Sequence, residues 1–430
     1  MRVLLLGATG LIGSAVAARL HTEGIEVVGV ARSAGSMARR LPVARWIELD
    51  LRRACAPADW LPHLGGIDAV VNCAGVLQDN ARDSTALVHA KAPEALWRAC
   101  EQAGVQRIVQ VSAIGVDRGG LTLFSASKAA GDASLRGSSL DWIILRPSVV
   151  LGRVAHGGSA LIRALASLPF LPRLPNAGRI DVVQLDDVAE TIVILLRDGA
   201  ARHIALELAG PERLSFEEVV AAYRKWLGRR PARLIAFPAW VIAALCRLGD
   251  GVAWLGWRPA LRTTARRELE RGAIGDPTEW TRVTGIRPRS LGESLAAGPS
   301  GAQERWFANL YLLKPLLIGI FSMFWLATGI IALRPGQESA AAIMRAAGAG
   351  SFSLPCVVAG SLADIVIGIA MAFRRSARIA LLAALFVSIC YVIAATLLVP
   401  ALWADPLGPI MKIWPIMALN LACLAIVKER

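Results

Sequence analysis

The chain has 430 residues, 55% of them hydrophobic, with a mean hydropathy of +0.51 and a formal net charge of +14. At about 150 residues per domain this allows roughly three units; it excludes intrinsic disorder and any need for disulfide or metal staples. The charge is uneven: residues 1–300 carry 37 basic and 28 acidic side chains, residues 301–430 only 10 and 5, so the first part reads as soluble and the second does not.

The spacing predicts a strand over Val3–Leu6 and a helix over Leu11–His21. The apolar stretch at the start is too short for a signal peptide. Between strand and helix lies Gly7-Ala8-Thr9-Gly10-Leu11-Ile12-Gly13. Early glycines in such a turn let the backbone approach a pyrophosphate, and the last lets helix and strand pack closely. The helix N-terminus adds free N–H groups and a partial positive charge. Gly7, Thr9, Gly10, Leu11, Ile12 and Gly13 are the candidate cradle of a nicotinamide dinucleotide. The next strand, Glu26–Val30, leads into Arg32, where an NAD site usually places Asp or Glu. A guanidinium suits a 2′-phosphate, so NADP(H) is expected in preference to NAD(H). The alternative is a solvated arginine in a chain with 41 arginines and 6 lysines.

Further strands are expected at Ala69–Asn72, Arg107–Ser112 and Asp141–Arg146, with a helix over Thr85–Ala103. This alternation predicts an α/β fold with a doubly wound parallel Rossmann sheet. From about 150 to 298 the pattern is less regular and richer in Pro and Arg, as in a smaller intertwined lobe. Within it, Leu234–Trp257 is apolar around Arg247 and Asp250. Arg229, Arg230 and Arg233 precede it; Arg258, Arg262, Arg266 and Arg267 follow it. Basic clusters at both ends disfavour a crossing. Trp240, Trp254 and Trp257 suit a helix lying on the cytoplasmic leaflet, the alternative being a core helix of the second lobe. Gly298–Ala302 is the clearest linker, which divides the chain into residues 1–298, a linker at 299–305, and residues 306–430.

Three stretches, Leu316–Leu333, Phe352–Phe373 and Ile379–Leu402, are apolar all round and long enough to cross a bilayer; Ile413–Val427 is a marginal fourth. They predict an all-α bundle of four transmembrane helices in a bacterial inner membrane. Arg374, Arg375 and Arg378 lie between the second and third spans, and Lys428, Glu429 and Arg430 follow the fourth. Only Arg334 and Arg345 fall on the other side, so both termini and the nucleotide-binding part are expected in the cytoplasm. Asp364, inside the second span, is expected to face the bundle interior or a polar pathway, with Asn420 as a candidate neighbour. Seven scattered cysteines without a CxxC point to reduced packing residues and no metal site. All five histidines precede residue 301, which excludes paired haem ligands in the spans. Arginine runs interleaved with aromatics are missing, so no nucleic-acid partner is expected.

These motifs resemble an extended or atypical short-chain dehydrogenase/reductase over about residues 1–295. Asp50-Leu51 matches the acidic pair beside the adenine, and Asn72-Cys73-Ala74-Gly75 the second nucleotide-contacting turn. The run from Leu145 to Gly152, with Pro147 and Ser148, resembles the passage bordering the nicotinamide. Val183–Ala189 and Glu207–Pro211 resemble second-lobe markers. The likeness is strongest to the branch containing the Rossmann-type accessory subunit of respiratory complex I. Residues 303–430 resemble, by hydropathy, length and fusion context, the DoxX-like family of membrane domains, which is similar to small quinol- or thiosulfate-linked subunits. The resemblance implies a Ser, Tyr, Lys constellation with the last two one helical turn apart. Ser112 and Lys128 match it, but Phe124 stands in the Tyr position and has no proton to give. Two functions stay open: a sensor or assembly module that binds NADP(H), with Lys128 on the ribose, and an NAD(P)H-dependent oxidoreductase acting on a quinone or isoprenoid. A respiratory-chain protein, a quinone and the lipid bilayer are the implied partners.

Overall fold

Short runs rich in Val, Leu and Ile, apolar on both sides, make the first sheet. In the computed structural model, which describes residues 1–118, 122–174, 176–197, 199–406 and 408–427, the first six strands are β1 (Arg2–Leu6), β2 (Glu26–Ala31), β3 (Arg45–Glu48), β4 (Ala69–Asn72), β5 (Arg107–Val111) and β6 (Asp141–Pro147). After β7 (Val149–Leu151), β8 (Leu171–Arg173) and β9 (Ile180–Gln184), β10 (Ile204–Leu208) joins the same sheet. The order is β10-β6-β5-β4-β1-β2-β3, all parallel. Successive residues of β1 enter opposite cores: Val3 and Leu5 pack on one face, Leu4 and Leu6 on the other. A sheet buried on both faces needs helices on both faces, so the doubly wound Rossmann architecture follows from the strand composition. The helices are α1 (Leu11–Thr22), α2 (Ala92–Ala103), α3 (Leu123–Arg136) and, beyond α4 (Gly158–Ser167), α5 (Leu185–Leu196).

Two local readings change. The helix expected over Thr85–Ala103 opens with a wide π turn at Leu87–Lys91 before α2. Pro93 has no N–H to return to the carbonyl four residues back. That carbonyl, His89 O, is instead approached by Gly131 of α3, where a Cβ would lie 2.1 Å away. The edge strand β3 escaped the sequence pattern because only Ile47 of its four residues is buried.

The chain divides into two compact units, Met1–Asp250 with Pro259–Ala308, and Gly251–Arg258 with the chain from Asn309 onward. The first also contains β11 (Arg213–Leu214), α6 (Phe216–Trp226) and β12 (Leu234–Ala236), then most of α7 (Ala239–Trp254), α8 (Thr263–Arg271), α9 (Thr278–Thr284), α10 (Leu291–Ala297) and most of α11 (Ala302–Leu310). The start of Leu234–Trp257 is thus a short strand paired with β8, and Pro238 separates it from α7. The expected linker ends in a helix: Gly301 N–H donates to Glu304 Oε2 at 2.8 Å and starts α11.

The second unit holds α12 (Leu313–Leu333), α13 (Gln337–Ala346), α14 (Ser353–Ala372), α15 (Ala377–Leu398) and α16 (Ile413–Ile426). Three helical stretches, Leu313–Leu333, Gly350–Ala372 and Ala377–Leu398, are long and apolar enough to cross a membrane, and α16 is shorter. Helices α12 and α14 touch through glycines: a Cβ at Gly329 would lie 2.5 Å from Ser361 O, and one at Gly368 2.8 Å from Leu326 N. Asp364 is buried and accepts a hydrogen bond from Tyr391 on α15 at 3.3 Å, so its partner is this hydroxyl in place of the expected Asn420. The basic tail Lys428, Glu429 and Arg430 lies outside the described residues.

Trp280 of α9 is fully buried in the core between sheet and α5, with its Nε1–H donated to Thr191 Oγ1 at 2.8 Å. Trp280→Ala is expected to cost about 3–5 kcal/mol. Thermal unfolding of the first unit, followed by near-UV circular dichroism, should shift down by several degrees.

Candidate dinucleotide-binding site

The cradle is built from backbone. Gly7 has φ +69°, and a Cβ there would lie 2.9 Å from Ala74 N and Cα. A Cβ at Gly13 would lie 2.2 Å from Gly7 O. The turn is closed by Gly10 N–H donating to Gly7 O at 2.9 Å. Gly10 is the N-cap of α1, no side chain caps that end, and the first turn carries no acid. The N–H groups of Leu11, Ile12 and Gly13 therefore stay available to an anion, with Thr9 beside them. The residues present fit a dinucleotide diphosphate: small where its backbone contacts must be close, and unblocked where its charge must sit.

The second turn is locked against the first. Asn72 donates to Gln110 Oε1 at 2.8 Å and accepts from Ala74 N–H at 3.0 Å, which sets Cys73-Ala74-Gly75 at the end of β4. Lys128 reaches this turn from α3. Its Nζ donates to Ala74 O at 3.2 Å and to Val111 O at 2.8 Å, next to Ser112. An ammonium has three donors, so one is left for a ribose hydroxyl. Burial pushes Lys128 down to about 8, against the pull of Asp132 and Cys73. Burial likewise lifts the Cys73 thiol to about 12, which makes it a packing group.

Phe124 and Lys128 lie one turn apart on α3, Lys128 reaches the carbonyl that precedes Ser112, and the structure adds neighbours that the sequence did not mark. His89 is buried, and burial with the nearby Lys128 charge drives it down to about 2. Its Nε2 accepts from Val76 N–H at 3.0 Å, so Nδ1 carries the proton and donates to Ser127 Oγ at 2.8 Å; Ser127 in turn donates to Phe124 O at 2.9 Å. The Phe124 ring meets the His89 ring edge-on, centroids 5.5 Å apart. The polar chain thus ends in the backbone carbonyl of Phe124. One further turn along α3, Asp132 is buried against Arg146, which also pairs with Asp117. Burial raises the Asp132 carboxyl, opposed by Ser112, Arg146 and Lys128. Glu268 of α8 accepts from Ser125 Oγ at 2.8 Å and pairs with Arg271 at 2.7 Å. Asp132 was legible as the next step of the four-residue spacing from Phe124 and Lys128. Glu268 was not, because it arrives from 143 residues away.

At the rim, Arg32 stands at the end of β2 but is engaged. Its Nη1 donates to Asp83 Oδ1 at 2.7 Å and to Arg82 O at 2.9 Å. A 2′-phosphate would share this guanidinium with Asp83. Asp50, followed by Leu51, is held below the usual carboxylate range by hydrogen bonds from Arg52, against partial burial. At the other end Pro147 O accepts from Ile114 N–H, while Ser148 Oγ donates to Ala273 O at 2.6 Å and ties the passage to the second lobe.

Comparison with known proteins agrees with this geometry. Residues 7–198 match the NAD(P)H-binding family model, and residues 322–421 match the DoxX-like family. An uncharacterized protein of Mycobacterium tuberculosis is 29% identical over 52% of this chain, which spans only 23% of that relative's length. The mitochondrial NADH-ubiquinone oxidoreductase 40 kDa subunit of Neurospora crassa is 24% identical over 66% of this chain and 75% of that protein. The structure of the Bordetella bronchiseptica enzyme WbmG in complex with NAD aligns with a TM-score of 0.52 at 18% identity, covering 69% of this chain and 92% of that one. The first part of the chain thus has a Rossmann fold and matches an NAD(P)H-binding family. It is joined to a C-terminal DoxX-like domain with apolar helices.

Two outcomes follow from the geometry. In Gly13→Ala the new Cβ must displace Gly7 O, and overpacking of this kind costs about 1–3 kcal/mol; NADPH binding, read by fluorescence, is expected to weaken roughly ten- to hundredfold. Between about 8 and the ordinary 10.5 of a lysine, the unfolded chain holds a proton on Lys128 that the folded chain releases. Stability of the first unit should thus rise with pH across that window by at most ~3 kcal/mol, and Lys128→Met should remove the rise in pH-dependent melts.

Proposed function

We propose that this protein is a membrane-anchored NADP(H)-binding module of the bacterial cytoplasmic membrane, with the Rossmann unit and both chain ends on the cytoplasmic side, acting as a sensor or assembly element. The observation that carries this reading is Phe124: a ring packed on a neutral, fully engaged His89 occupies the place of the proton donor. Lys128 and the glycine turn keep the binding half of the family's machinery, while its proton-transfer half is missing. When bound, the nicotinamide supplies a hydride. Ser112 and Lys128 can position substrate and ribose, but neither replaces a tyrosine in delivering a proton at neutral pH. The Neurospora relative, named as a subunit of a multi-component oxidoreductase, is consistent with an assembly role. The preference for NADP(H) rests on Arg32 and the lack of an acid at that position.

A second reading is an NAD(P)H-dependent oxidoreductase whose acceptor is lipophilic, such as a quinone. The same relative's printed name, which includes ubiquinone, favours it, and a hydride acceptor of that kind has less need of a dedicated tyrosine. NADPH oxidation by the full chain in detergent, against a panel of quinones and flavins, separates the two. The binding module predicts tight NADPH binding with no turnover, and Phe124→Tyr gaining carbonyl reduction. Sustained oxidation of NADPH by the unaltered protein with any quinone contradicts it. Arg32→Ala is expected to lower the preference for NADPH over NADH about tenfold or more, the scale of a lost charge-assisted hydrogen bond.

A further inference from the structure

Helix α7 is apolar on two opposite faces. Ile242, Cys246, Gly249 and Ala253 point inward; a Cβ at Gly249 would lie 2.0 Å from Leu261 O, so this face is in tight contact. On the other side Trp240 is 73%, Leu248 64% and Trp254 65% exposed. At 100° per residue Trp240, Arg247, Gly251 and Trp254 fall within about 60° of one another, so they form a continuous stripe. The concentration is local: among the described residues of 1–300, six of the eleven exposed large apolar side chains lie between Leu234 and Trp254. A soluble surface does not gather them in this way.

The charges around the stripe have one sign. From Arg229 to Arg267 there are eight arginines and a single acid, Asp250. That acid is turned to internal partners, accepting from Gln78 at 2.9 Å and from Arg262 at 3.3 Å. Arg230, Arg233, Arg247 and Arg267 are exposed. The residues just after α7 belong to the second unit and are fastened to the end of a span: Trp257 Nε1–H donates to Ala372 O at 2.7 Å, and Leu255 O accepts from Arg374 N–H at 3.1 Å. Arg374, Arg375 and Arg378 follow Ala372 closely in the chain.

We infer that the outward face of α7 and its flanking arginines form a binding surface for anionic phospholipid headgroups, with Trp240, Leu248 and Trp254 set at the acyl boundary. Apolar area and basic charge act together on such a surface, and Arg247, within the stripe, can keep its head among the phosphates while its stem lies flat. The inference rests on the membrane reading of the second unit.

Hydroxyl-radical footprinting of the full chain in nanodiscs tests it, with zwitterionic phosphatidylcholine compared against a mixture rich in phosphatidylglycerol. Oxidation of Trp240 and Trp254 is expected to fall at least fivefold in the anionic discs, while Leu123, exposed elsewhere, keeps its rate. Replacing Arg230, Arg233 and Arg247 by Gln should restore most of the oxidation. Equal oxidation of both tryptophans in the two lipids, whether high or low, overturns the inference. Residues of α14 and α15 report separately: protection there in both lipids upholds the spans even if the α7 surface fails, and their oxidation by solvent would defeat the membrane reading itself.

Discussion

Two backbone turns cross with no room for a Cβ between them. Gly7 meets Ala74 and Gly13 meets Gly7 O at separations that only glycine allows. This contact sets the rest of the first unit's chemistry. It presses the start of α1 onto the end of β1, leaves the first-turn N–H groups for a diphosphate, and fixes the turn after β4 on which Lys128 rests. Asn72, Gln110 and Ala74 hold the second turn from behind, so the cradle does not rely on flexible side chains.

Around that cradle the side chains beside Lys128 are packed and committed to one another. Burial holds His89 neutral, both its ring nitrogens are committed, and Phe124 closes over it. Asp132 and Arg146 are buried together toward the far end of α3, and the exposed Asp117 pairs with the same guanidinium.

Much of this was legible in the chain itself. The glycine spacing and the strand that precedes it located the cradle. The four-residue step from Phe124 to Lys128 placed both on one face of a helix whose limits had not been drawn. Long apolar stretches, one of them holding Asp364, located the three helices long enough to cross a membrane, with the starts of α12 and α15 falling slightly earlier than hydropathy suggested. What escaped was long-range or compensated. The edge strand β3 buries too little to leave a pattern. The π turn at Leu87–Lys91 comes from Pro93 and the approach of Gly131, a contact between separate elements. The pairing of Arg32 with Asp83 escaped because the two lie 51 residues apart. Asp364 finds Tyr391, one of only three tyrosines, in place of the amide that was expected.

The most direct measurement is a cryo-EM map of the full chain in nanodiscs with NADPH present. Density for the diphosphate against the backbone of Gly10, Leu11 and Ile12, with the ribose within reach of Lys128 Nζ, is the expected result. NADPH seated elsewhere, or that turn filled by side chains of the protein while the coenzyme is in excess, would contradict the account.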